Sequence, residues 1–553
     1  MKEFIWNGPV LAPVFVPSNQ YKLAGDFLSP LAEEMLIQWS ILDEKYSKDK
    51  TYIKNFYSDL KYELTKNQFK LKFPEDFSKI LSRMKTNHQQ FKEDKAAYEK
   101  EHKEEIKEKK EKIKKEFGTC IIDGKEVSIQ YAVEPPSIFR GRGNNPLSGH
   151  WKYRVEYSDI RLNRKEPKKE DELYGSVEWL PDVAFGGTYN QKIGHNADFI
   201  NIKSFLFSAN QADVTIQRNI KKFNNARKMI EMWEEIESHI FKGISSSDET
   251  RMQTALVLYL VQNLGIRIGN EKDTDVSADT VGASTLKVSN MKIDKDKLIL
   301  DFIGKDSIKD HRELIIYNTS ILEAFNKCLS NKSKNDLIFE KTNSGKTEEF
   351  LREVIPEATN KLFRTAYGSG LLANEIRNKE WNNLSDKEFK LQFDECTLEV
   401  AKKLNHHSTI EKSKQEENNR KNKEKIKIAK ENLECTKQKI SLRIEVLSNH
   451  LSKCKDKEKK KILKEKINSY KEKQLVAIKR FTDLKNSLNF KIGVGDIALG
   501  TSRANYSTPE LAFSLCNYTG KDPSLIYTKT LLEKFEWAKN TDKNLWKEYP
   551  SIS

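Results

Sequence analysis

Cysteine is scarce in this sequence, and no pattern groups the few that are present. The six cysteines among 553 residues include no C-x-x-C pair and no histidine at zinc-finger spacing. His406 and His407 are adjacent, and neighbouring side chains point apart on a helix or a strand. We therefore expect reduced thiols in an intracellular protein and no structural metal.

Long apolar runs are also missing. No stretch approaches the roughly twenty apolar residues that a membrane span requires. The opening residues, Met1-Lys-Glu-Phe-Ile-Trp, lack the small-residue cleavage site of a signal peptide. We therefore expect a soluble protein that is not secreted and has no membrane partner.

Two common catalytic motifs are incomplete. Gly345-Lys346-Thr347 resembles the end of a phosphate-binding P-loop, but that motif requires glycine five residues earlier, where this chain has Glu340. Two-metal nuclease chemistry requires clustered carboxylates, and none stands out beyond helix surfaces. The sequence therefore excludes ATP binding at this motif and gives no support to a two-metal nuclease.

Positive charge is in excess. The chain has 97 Lys and Arg against 82 Asp and Glu, a formal net charge of +15. A basic protein of this size favours a polyanionic partner, with nucleic acid ahead of an anionic membrane surface.

The first 212 residues combine strand and helix patterns. The Pro-rich segment 1–18 predicts an extended piece docked on a later sheet, and TCIIDGKEVSI and GSVEWLPDVAF predict strands. Residues 95–115 are so polar that a helix there must project into solvent. The segment FRGRGNNP puts Arg140 and Arg142 on a flexible backbone suited to phosphates or a minor groove.

The next 200 residues predict a buried helix and a small sheet. ETRMQTALVLYLVQNL is an apolar helix that ends at Gly265, which leaves Arg267 just beyond it. STLKVSN, LILDFIG and ELIIYN predict three successive strands, with Lys305 at the hairpin tip between the last two. Lys361 and Arg364 fall on one helix face. EVAKKLNHH predicts a helix whose last turn presents His406.

The C-terminal part predicts a long helical hairpin. Apolar residues recur at heptad spacing through 411–487, with a polar break near 453–459, which favours an antiparallel coiled coil with basic outer faces. Beyond it, a small helical domain carries Tyr506. Phosphoryl transfer without a metal requires cationic groups on the phosphate oxygens, a proton donor and a nucleophile. Arg267, Arg364, His406, Lys305 and Tyr506 supply that set.

Several motifs resemble those of eukaryotic type IB DNA topoisomerases, and in the same order. They are GIRIGNEKDTDVSADTVG, LDFIGKDSI, KLFRT, LNHH and IALGTSRANY, with FRGRGNNP and WNGPVLAP nearer the start. The resemblance implies that Tyr506 attacks a phosphodiester to give a 3′-phosphotyrosine, and that Lys305 protonates the leaving 5′ oxygen. It also implies that the non-bridging phosphate oxygens are bound by Arg267, Arg364 and His406.

The same resemblance implies the remaining DNA contacts. It also implies a reaction that requires neither a metal nor ATP and that divalent cations at most stimulate. The implied partner is double-stranded DNA, bound by a monomeric clamp, and the implied compartment is the nucleus. The implied DNA-binding residues are Arg140, Arg142, Lys203, Ile268, Gly269, Asn270, Glu271, Lys272, Thr280, Asp306, Thr359, Asn360, Lys361 and Asn505.

The implied fold is multidomain α+β, with mixed cap and core lobes that form the DNA clamp. Its catalytic domain is mainly helical and related to tyrosine recombinases, and it is followed by an antiparallel coiled-coil linker and a small helical C-terminal domain. In the implied division, core subdomain I consists of 1–18 and 101–212. The cap is 19–100, and its basic helices run to about 115. The catalytic subdomain is 213–410, the linker is 411–487 and the Tyr506 domain is 488–553.

Two other functions stay open. A tyrosine recombinase also forms a 3′-phosphotyrosine, although its usual H-x-x-R is K-x-x-R here, from Lys361 to Arg364. A non-catalytic architectural protein would use the basic hairpin and cap only to grip phosphates.

Overall fold

A computed structural model describes residues 1–197, 199–208, 213–270, 280–407 and 412–552, without the side chains of residues 214, 306, 412 and 413. The chain divides into two units. The first unit is Met1–Lys222 with Gly269–Ser344, and the second is Phe223–Ile268 with Gly345–Ser553. Taken as a whole, the chain has a mixed α+β fold with long helices. The finer five-part division stays a prediction.

Helices occur along the whole described chain. They are α1 (Pro30–Ser40), α2 (Glu44–Ser47), α3 (Lys50–Leu60), α4 (Ser78–Glu101), α5 (Lys103–Phe117), α6 (Asp213–Glu231), α7 (Trp233–Ile244), α8 (Glu249–Leu264), α9 (Thr319–Leu329), α10 (Ser344–Arg352), α11 (Asn360–Arg377), α12 (Asp386–Lys403), α13 (Lys412–Lys453), α14 (Lys457–Val494), α15 (Leu499–Asn505), α16 (Pro509–Thr519), α17 (Lys529–Lys534) and α18 (Leu545–Glu548).

The described strands lie in the first unit. They are β1 (Phe4–Ile5), β2 (Lys22–Leu23), β3 (Asp26–Phe27), β4 (Thr119–Ile122), β5 (Lys125–Ser128), β6 (Ser137–Ile138), β7 (Trp151–Lys152), β8 (Ile160–Asn163), β9 (Ser176–Glu178), β10 (Phe185–Ile193), β11 (Phe199–Leu206), β12 (Met291–Asp294), β13 (Lys297–Gly304) and β14 (Ile308–Ile315). The largest sheet has the order β6-β7-β10-β8-β9, with β11 paired to β10. The three-stranded sheets are β1-β4-β5 and β12-β13-β14, and β2 pairs with β3.

The N-terminal segment docks on a later sheet, which confirms the prediction for it. Phe4 pairs with Ile122 in an antiparallel ladder. Trp6 is buried beneath that sheet, and its indole Nε1 donates a hydrogen bond to Phe117 O (2.7 Å). A buried indole needs such a partner, so this bond fixes the segment against the end of α5. The strand prediction for TCIIDGKEVSI is also confirmed, and the structure shows two paired strands there, β4 and β5.

The three-strand prediction after α8 is correct for two strands and wrong for the first. LILDFIG and ELIIYN lie in β13 and β14, but STLKVSN forms two short 3₁₀ turns, and the edge strand begins only at Met291. Thr285 Oγ1 accepts a hydrogen bond from Gly282 N (2.9 Å), and Asn290 Oδ1 accepts one from Lys287 N (2.9 Å). These side chains accept hydrogen bonds from backbone N–H groups within the turns. They therefore take the place of the strand pairing that the prediction required.

The long C-terminal helices α13 and α14 pack against each other and are joined by residues 454–456. Leu433, Ile467 and Leu488 are buried along them. Leu484, another apolar residue of α14, is instead exposed. The role of these helices as a coiled-coil linker stays a prediction. In the part of the chain that the structure describes, we find no helix that could cross a membrane.

A buried carboxylate joins three parts of the first unit. Asp59 of α3 is fully buried and accepts hydrogen bonds from Trp151 N (2.7 Å) and His195 N (3.0 Å). Its oxygens also lie 2.9 Å from Nδ1 of His150 and 2.9 Å from Nδ1 of His195. Burial by itself would raise the pKa of Asp59, but these hydrogen bonds outweigh it and lower that pKa. The carboxylate therefore links α3 to β7 and to the turn after β10.

We predict that Asp59→Asn destabilises the protein by about 3 kcal/mol, because it leaves buried donors without their charged acceptor. The folded-state pKa lies below the unfolded value of about 3.9, so the wild-type advantage is complete above that pH and is lost as acid protonates the folded carboxylate. Denaturant unfolding followed by tryptophan fluorescence measures the difference.

Asp43→Asn is the matched control, since Asp43 is exposed and its side chain makes no capping hydrogen bond to α2. It should change stability by less than about 0.5 kcal/mol. Equal stabilities for the Asp59 variant and the wild type at pH 7 would contradict the assigned role of the carboxylate.

Candidate active site

Arg364 is positioned by α11 in the second unit. Thr359 caps this helix, and its Oγ1 accepts a hydrogen bond from Leu362 N (3.1 Å). The predicted helix through Lys361 and Arg364 is confirmed. Lys361 at its first turn is exposed, whereas Arg364 is only 5% exposed.

A buried guanidinium is costly unless polar groups surround it. Arg364 Nε donates a hydrogen bond to Gly265 O (3.1 Å), and Arg364 Nη2 donates one to Leu404 O (2.9 Å). Gly265 ends α8 and Leu404 ends α12. Helix C-termini carry partial negative charge, so two helix ends hold this cation in place.

Arg267 follows α8, as predicted. Gly265 adopts a left-handed conformation (φ +64°) and ends the helix there. Ile266 and Ile268 are buried, while Arg267 between them is partly exposed. Alternation along an extended segment accounts for this pattern, since successive side chains point to opposite sides. The two isoleucines therefore anchor the segment that carries the arginine.

His406 does not lie in the last turn of a helix, so that prediction is wrong. Helix α12 ends at Lys403, and Asn405 adopts a left-handed conformation (φ +51°). Asparagine tolerates this conformation better than most residues, which explains why the helix ends there. His406 N then donates a hydrogen bond to Ala401 O (3.0 Å), so the histidine lies in a turn beyond the helix.

The His406 ring is 3% exposed. Its Nδ1 lies 2.8 Å from Ser502 Oγ, and its buried Nε2 has no hydrogen-bond partner among the described residues. Burial, together with the charges of Arg364 and Arg267, lowers the pKa of His406 to about 3. The ring is therefore neutral at physiological pH. His407 takes a different direction, with Nδ1 2.9 Å from Asp496 Oδ2.

Tyr506 is held mainly by its backbone. Tyr506 N donates a hydrogen bond to Ser502 O (2.9 Å) at the end of α15, and Ser369 Oγ donates one to Tyr506 O (3.1 Å). A Cβ added at Gly368 would lie 2.8 Å from Tyr506 O, so glycine permits this close approach of α11. The phenol hydroxyl makes no hydrogen bond to the described residues.

Two predicted residues meet at the Tyr506 ring, and a third lies near His406. The Arg364 guanidinium lies 5.2 Å from the ring centroid, and the His406 ring centroid lies 4.8 Å from it. Arg267 is near enough for its charge to lower the pKa of His406. The second unit thus places a phenol beside a neutral imidazole and a buried guanidinium. Such a set can bind an anion and stabilise negative charge that develops on it.

Lys305 lies in the first unit, exposed at the tip between β13 and β14, as predicted. Ser307 beside it has φ +58°, and its Oγ donates a hydrogen bond to Arg142 O (3.4 Å). A Cβ added at Gly143 would overlap Ser307 Oγ, so the arginine loop packs closely on this tip. Lys305 and Arg142 therefore belong to one local structure.

The arginine loop is held more firmly than the flexible segment that we predict. Phe139 N donates to His150 O (2.7 Å), and Gly149 N donates to Phe139 O (2.9 Å). Arg140 is exposed at the loop surface, with its guanidinium 5.3 Å from the Tyr46 ring centroid. These backbone bonds present both arginines from a defined loop.

Several predicted DNA-binding residues are already engaged within the protein. Lys203 Nζ lies 2.9 Å from Glu134 Oε1, a carboxylate that also pairs with Lys152. Asn360 N donates to Glu348 Oε1 (3.1 Å). The contact with Glu134 compensates the charge of Lys203, and the contact with Glu348 orients the start of α11.

The other predicted contacts vary in exposure. Ile268 is buried, so its side chain is not a surface contact, whereas Asn270 is exposed and Thr280 is partly exposed. Gly269 has φ +88° and its carbonyl accepts a hydrogen bond from Ser284 Oγ (3.2 Å). Asn505 Nδ2 donates to Thr501 O (3.4 Å). Glu271, Lys272 and the Asp306 side chain lie outside the described residues.

The sequence did not identify three residues that hold Tyr506 or the short helix before it. Ser502 has a local signal, because it lies four residues before Tyr506 on a short helix. Ser369 and Lys534 have none, since they approach from distant parts of the chain. Lys534 Nζ donates a hydrogen bond to Ala504 O (2.9 Å), and burial, with the nearby charge of Lys361, lowers its pKa.

Three family models match the chain over most of its length. The DNA-binding fragment of eukaryotic DNA topoisomerase I matches residues 2–202, the catalytic core of eukaryotic DNA topoisomerase I matches 211–440, and the C-terminal topoisomerase domain matches 478–548. The chain belongs to the eukaryotic DNA topoisomerase I family. The two last-named matches contain Arg267, Arg364, His406 and Tyr506.

Relatives of this family align along nearly the whole chain. DNA topoisomerase 1 beta of Arabidopsis thaliana is 29% identical over 530 residues, which cover 93% of this chain and 55% of the relative. DNA topoisomerase 1 of Homo sapiens is 27% identical, over 96% of this chain and 70% of its own. DNA topoisomerase I, mitochondrial, of Rattus norvegicus is 26% identical, over 98% of this chain and 91% of its own. The chain therefore spans just over half of the plant topoisomerase.

We predict that the His406 ring stays neutral between pH 5 and pH 8, because burial and two nearby guanidiniums oppose its protonation. Arg364→Met removes one of these charges and should raise the pKa of His406, though not to its ordinary value, since burial is the larger cause. NMR of labelled histidine, assigned with His406→Gln, measures the titration.

Arg352→Met is the control, because Arg352 forms an ion pair with Glu348 on the surface of α10. It should leave the titration of His406 unchanged. An inflection near pH 6.5 in the wild type would contradict the assigned environment.

Proposed function

We propose that this protein is a type IB DNA topoisomerase. It relaxes positive and negative supercoils by cutting one strand, letting that strand rotate and rejoining it. The observation that carries the proposal is the Tyr506 ring with the Arg364 guanidinium at 5.2 Å and the His406 ring at 4.8 Å, in a chain of the topoisomerase I family.

The nucleophile in this proposal is the Tyr506 phenolate, formed when the phenol gives its proton to water. It attacks a backbone phosphorus while the bond from phosphorus to the 5′ oxygen breaks. The phosphate is then joined to Tyr506 as a 3′-phosphotyrosine, and Lys305 gives the leaving 5′ oxygen its proton. Religation runs these steps in reverse: Lys305 takes back the proton of the attacking 5′-hydroxyl, and the phenolate leaves and regains a proton from water.

The cationic groups stabilise the pentacoordinate state. Arg364 and Arg267 carry positive charge, and His406 is a neutral donor, so the three together oppose the charge on the non-bridging oxygens. Each preorganised donor of this kind contributes about 2.7 to 4 kcal/mol in comparable oxyanion sites. Because two helix ends already orient Arg364, its position costs little reorganisation during the reaction.

The proposed reaction requires neither ATP nor a metal. The phosphotyrosine ester conserves the energy of the cleaved phosphodiester, so religation needs no second energy source. The side chains supply the positive charge that a metal provides in other phosphoryl transfers. Divalent cations are at most stimulatory in this proposal.

The proposed partner is duplex DNA. The net charge of +15 and the exposed arginines of the 140–143 loop, together with Lys305 on the adjoining tip, favour phosphate contacts in the first unit. We include in the proposal the clamp around DNA and the recombinase-like catalytic domain. The basic helices α13 and α14 would act as a linker that slows strand rotation.

The proposal extends to a monomer that acts in the nucleus. One active tyrosine cuts one strand, so a single chain is sufficient for the reaction. The name of the rat relative places that protein in mitochondria, so the compartment is the part of the proposal on which the family varies.

Tyr506→Phe should retain DNA binding and lose relaxation, because it removes the nucleophilic oxygen and nothing else. Relaxation of a supercoiled plasmid with EDTA and without ATP measures activity, and denaturation with detergent traps the covalent adduct. Tyr518→Phe is the matched control, since Tyr518 packs on Trp546 in the same unit, and it should behave as the wild type.

The same assay separates the two alternatives. A tyrosine recombinase would require paired specific sites, and relaxation of any circle without such sites excludes it. An architectural protein would give no covalent adduct, and its binding would not change with Tyr506→Phe. Absence of a Tyr506-dependent adduct under conditions that permit relaxation would refute the proposed chemistry.

Lys305→Ala should slow cleavage of ordinary DNA by about 100-fold, within the range for loss of a general acid. A substrate with a 5′-bridging sulfur leaves without needing a proton, so the same variant should cleave it at nearly the wild-type rate. Lys297→Ala, at the start of β13 and paired with Glu313, is the control. Equal slowing of both substrates would remove Lys305 as the acid.

A further inference from the structure

The contact between His406 and Ser502 determines which imidazole nitrogen carries the proton. Ser502 has no exposed surface and His406 has 3%, and their side chains meet at 2.8 Å from Oγ to Nδ1. They are 96 positions apart in the chain. His406 Nε2, the other ring nitrogen, is buried without a partner among the described residues.

A neutral imidazole has one N–H donor and one bare acceptor nitrogen. Two arrangements fit the Ser502 contact. Either Nδ1–H donates to Ser502 Oγ and Nε2 is bare, or Ser502 Oγ–H donates to Nδ1 and Nε2 carries the proton. Because burial and two guanidiniums keep the ring neutral, both nitrogens cannot be protonated together.

The hydroxyl proton decides between these arrangements. His406 is the one hydrogen-bond partner of the Ser502 hydroxyl among the described residues. If Nδ1 held the proton, the buried hydroxyl would have no acceptor for its own proton. The second arrangement satisfies both groups, and buried polar groups are rarely left unpaired.

We infer that Ser502 is a positioning residue that holds His406 in the Nε2–H tautomer. This inference rests on the proposed function, in which His406 must donate to a non-bridging phosphate oxygen. A bare Nε2 would direct a lone pair at that oxygen and repel it. Ser502 thus turns a neutral ring into a donor without giving it a charge.

Ser502 also holds the nucleophile. Its carbonyl accepts hydrogen bonds from Tyr506 N and Ser507 N, both at 2.9 Å. One residue therefore fixes the donor ring through its side chain and the tyrosine through its backbone. A substitution of the side chain separates these roles, since it leaves the carbonyl in place.

The first test reads the tautomer directly in the DNA-free protein. The ¹⁵N shifts of His406, assigned with His406→Gln, should indicate protonated Nε2 and unprotonated Nδ1 in the wild type. In Ser502→Ala the two tautomers should both be populated. A wild-type ring with Nδ1 protonated overturns the inference, whether or not any variant folds.

The second test measures single-turnover cleavage by the full chain. His406→Ala should slow cleavage about 100- to 1,000-fold, as for loss of one oxyanion donor, and Ser502→Ala about 10- to 100-fold, since part of the ring population still donates. The double variant should be no slower than His406→Ala alone, because Ser502 acts through His406. Independent, multiplying losses would overturn the inference.

Ser507→Ala is the matched control. Ser507 is equally buried, and its Oγ has no hydrogen-bond partner among the described residues, so both the ¹⁵N shifts and the rate should match the wild type. Failure of the proposed function has a different outcome, in which the wild type forms no Tyr506 adduct while the tautomer measurement still gives a result.

Discussion

The second unit depends on one buried charge. Arg364 is a permanent cation in the protein interior, and it is tolerated because the ends of α8 and α12 direct their carbonyls at its Nε and Nη2. Those two helices must therefore end where they do. Gly265 and Asn405 accomplish this by adopting left-handed conformations. The cost of burying a charge thus fixes helix ends, and the fixed ends place His406 beside Tyr506 and Arg267 near His406.

Arg364 also affects the protonation of its neighbour His406. A histidine beside this cation and near Arg267 cannot gain a proton easily, so the His406 ring stays neutral. In the proposed reaction, the two guanidiniums would supply charge and the neutral ring a directional hydrogen bond.

Much of this arrangement could be predicted from the sequence, because its signals are local. The end of α8 at Gly265, the helix through Arg364 and the Lys305 turn all follow from glycine placement and apolar periodicity. The error at STLKVSN arose because side chains of Thr285 and Asn290 bind the backbone, which periodicity does not detect. Contacts such as that between Ser502 and His406, or between Asp59 and His150, join residues more than 90 positions apart. No local sequence pattern encodes these contacts. The hydrogen bonds from Arg364 to the ends of α8 and α12 could likewise be found only from the structure.

The way Tyr506 is anchored bears on the covalent intermediate of the proposed reaction. Ser502 O and Ser369 Oγ hold its amide and carbonyl, and Gly368 lets α11 come close enough for this, while the phenolic oxygen makes no hydrogen bond to the described residues. Esterification of that oxygen would remove none of these anchors. If the proposed phosphotyrosine forms, the same backbone hydrogen bonds would hold the tyrosine before and after the strand is attached.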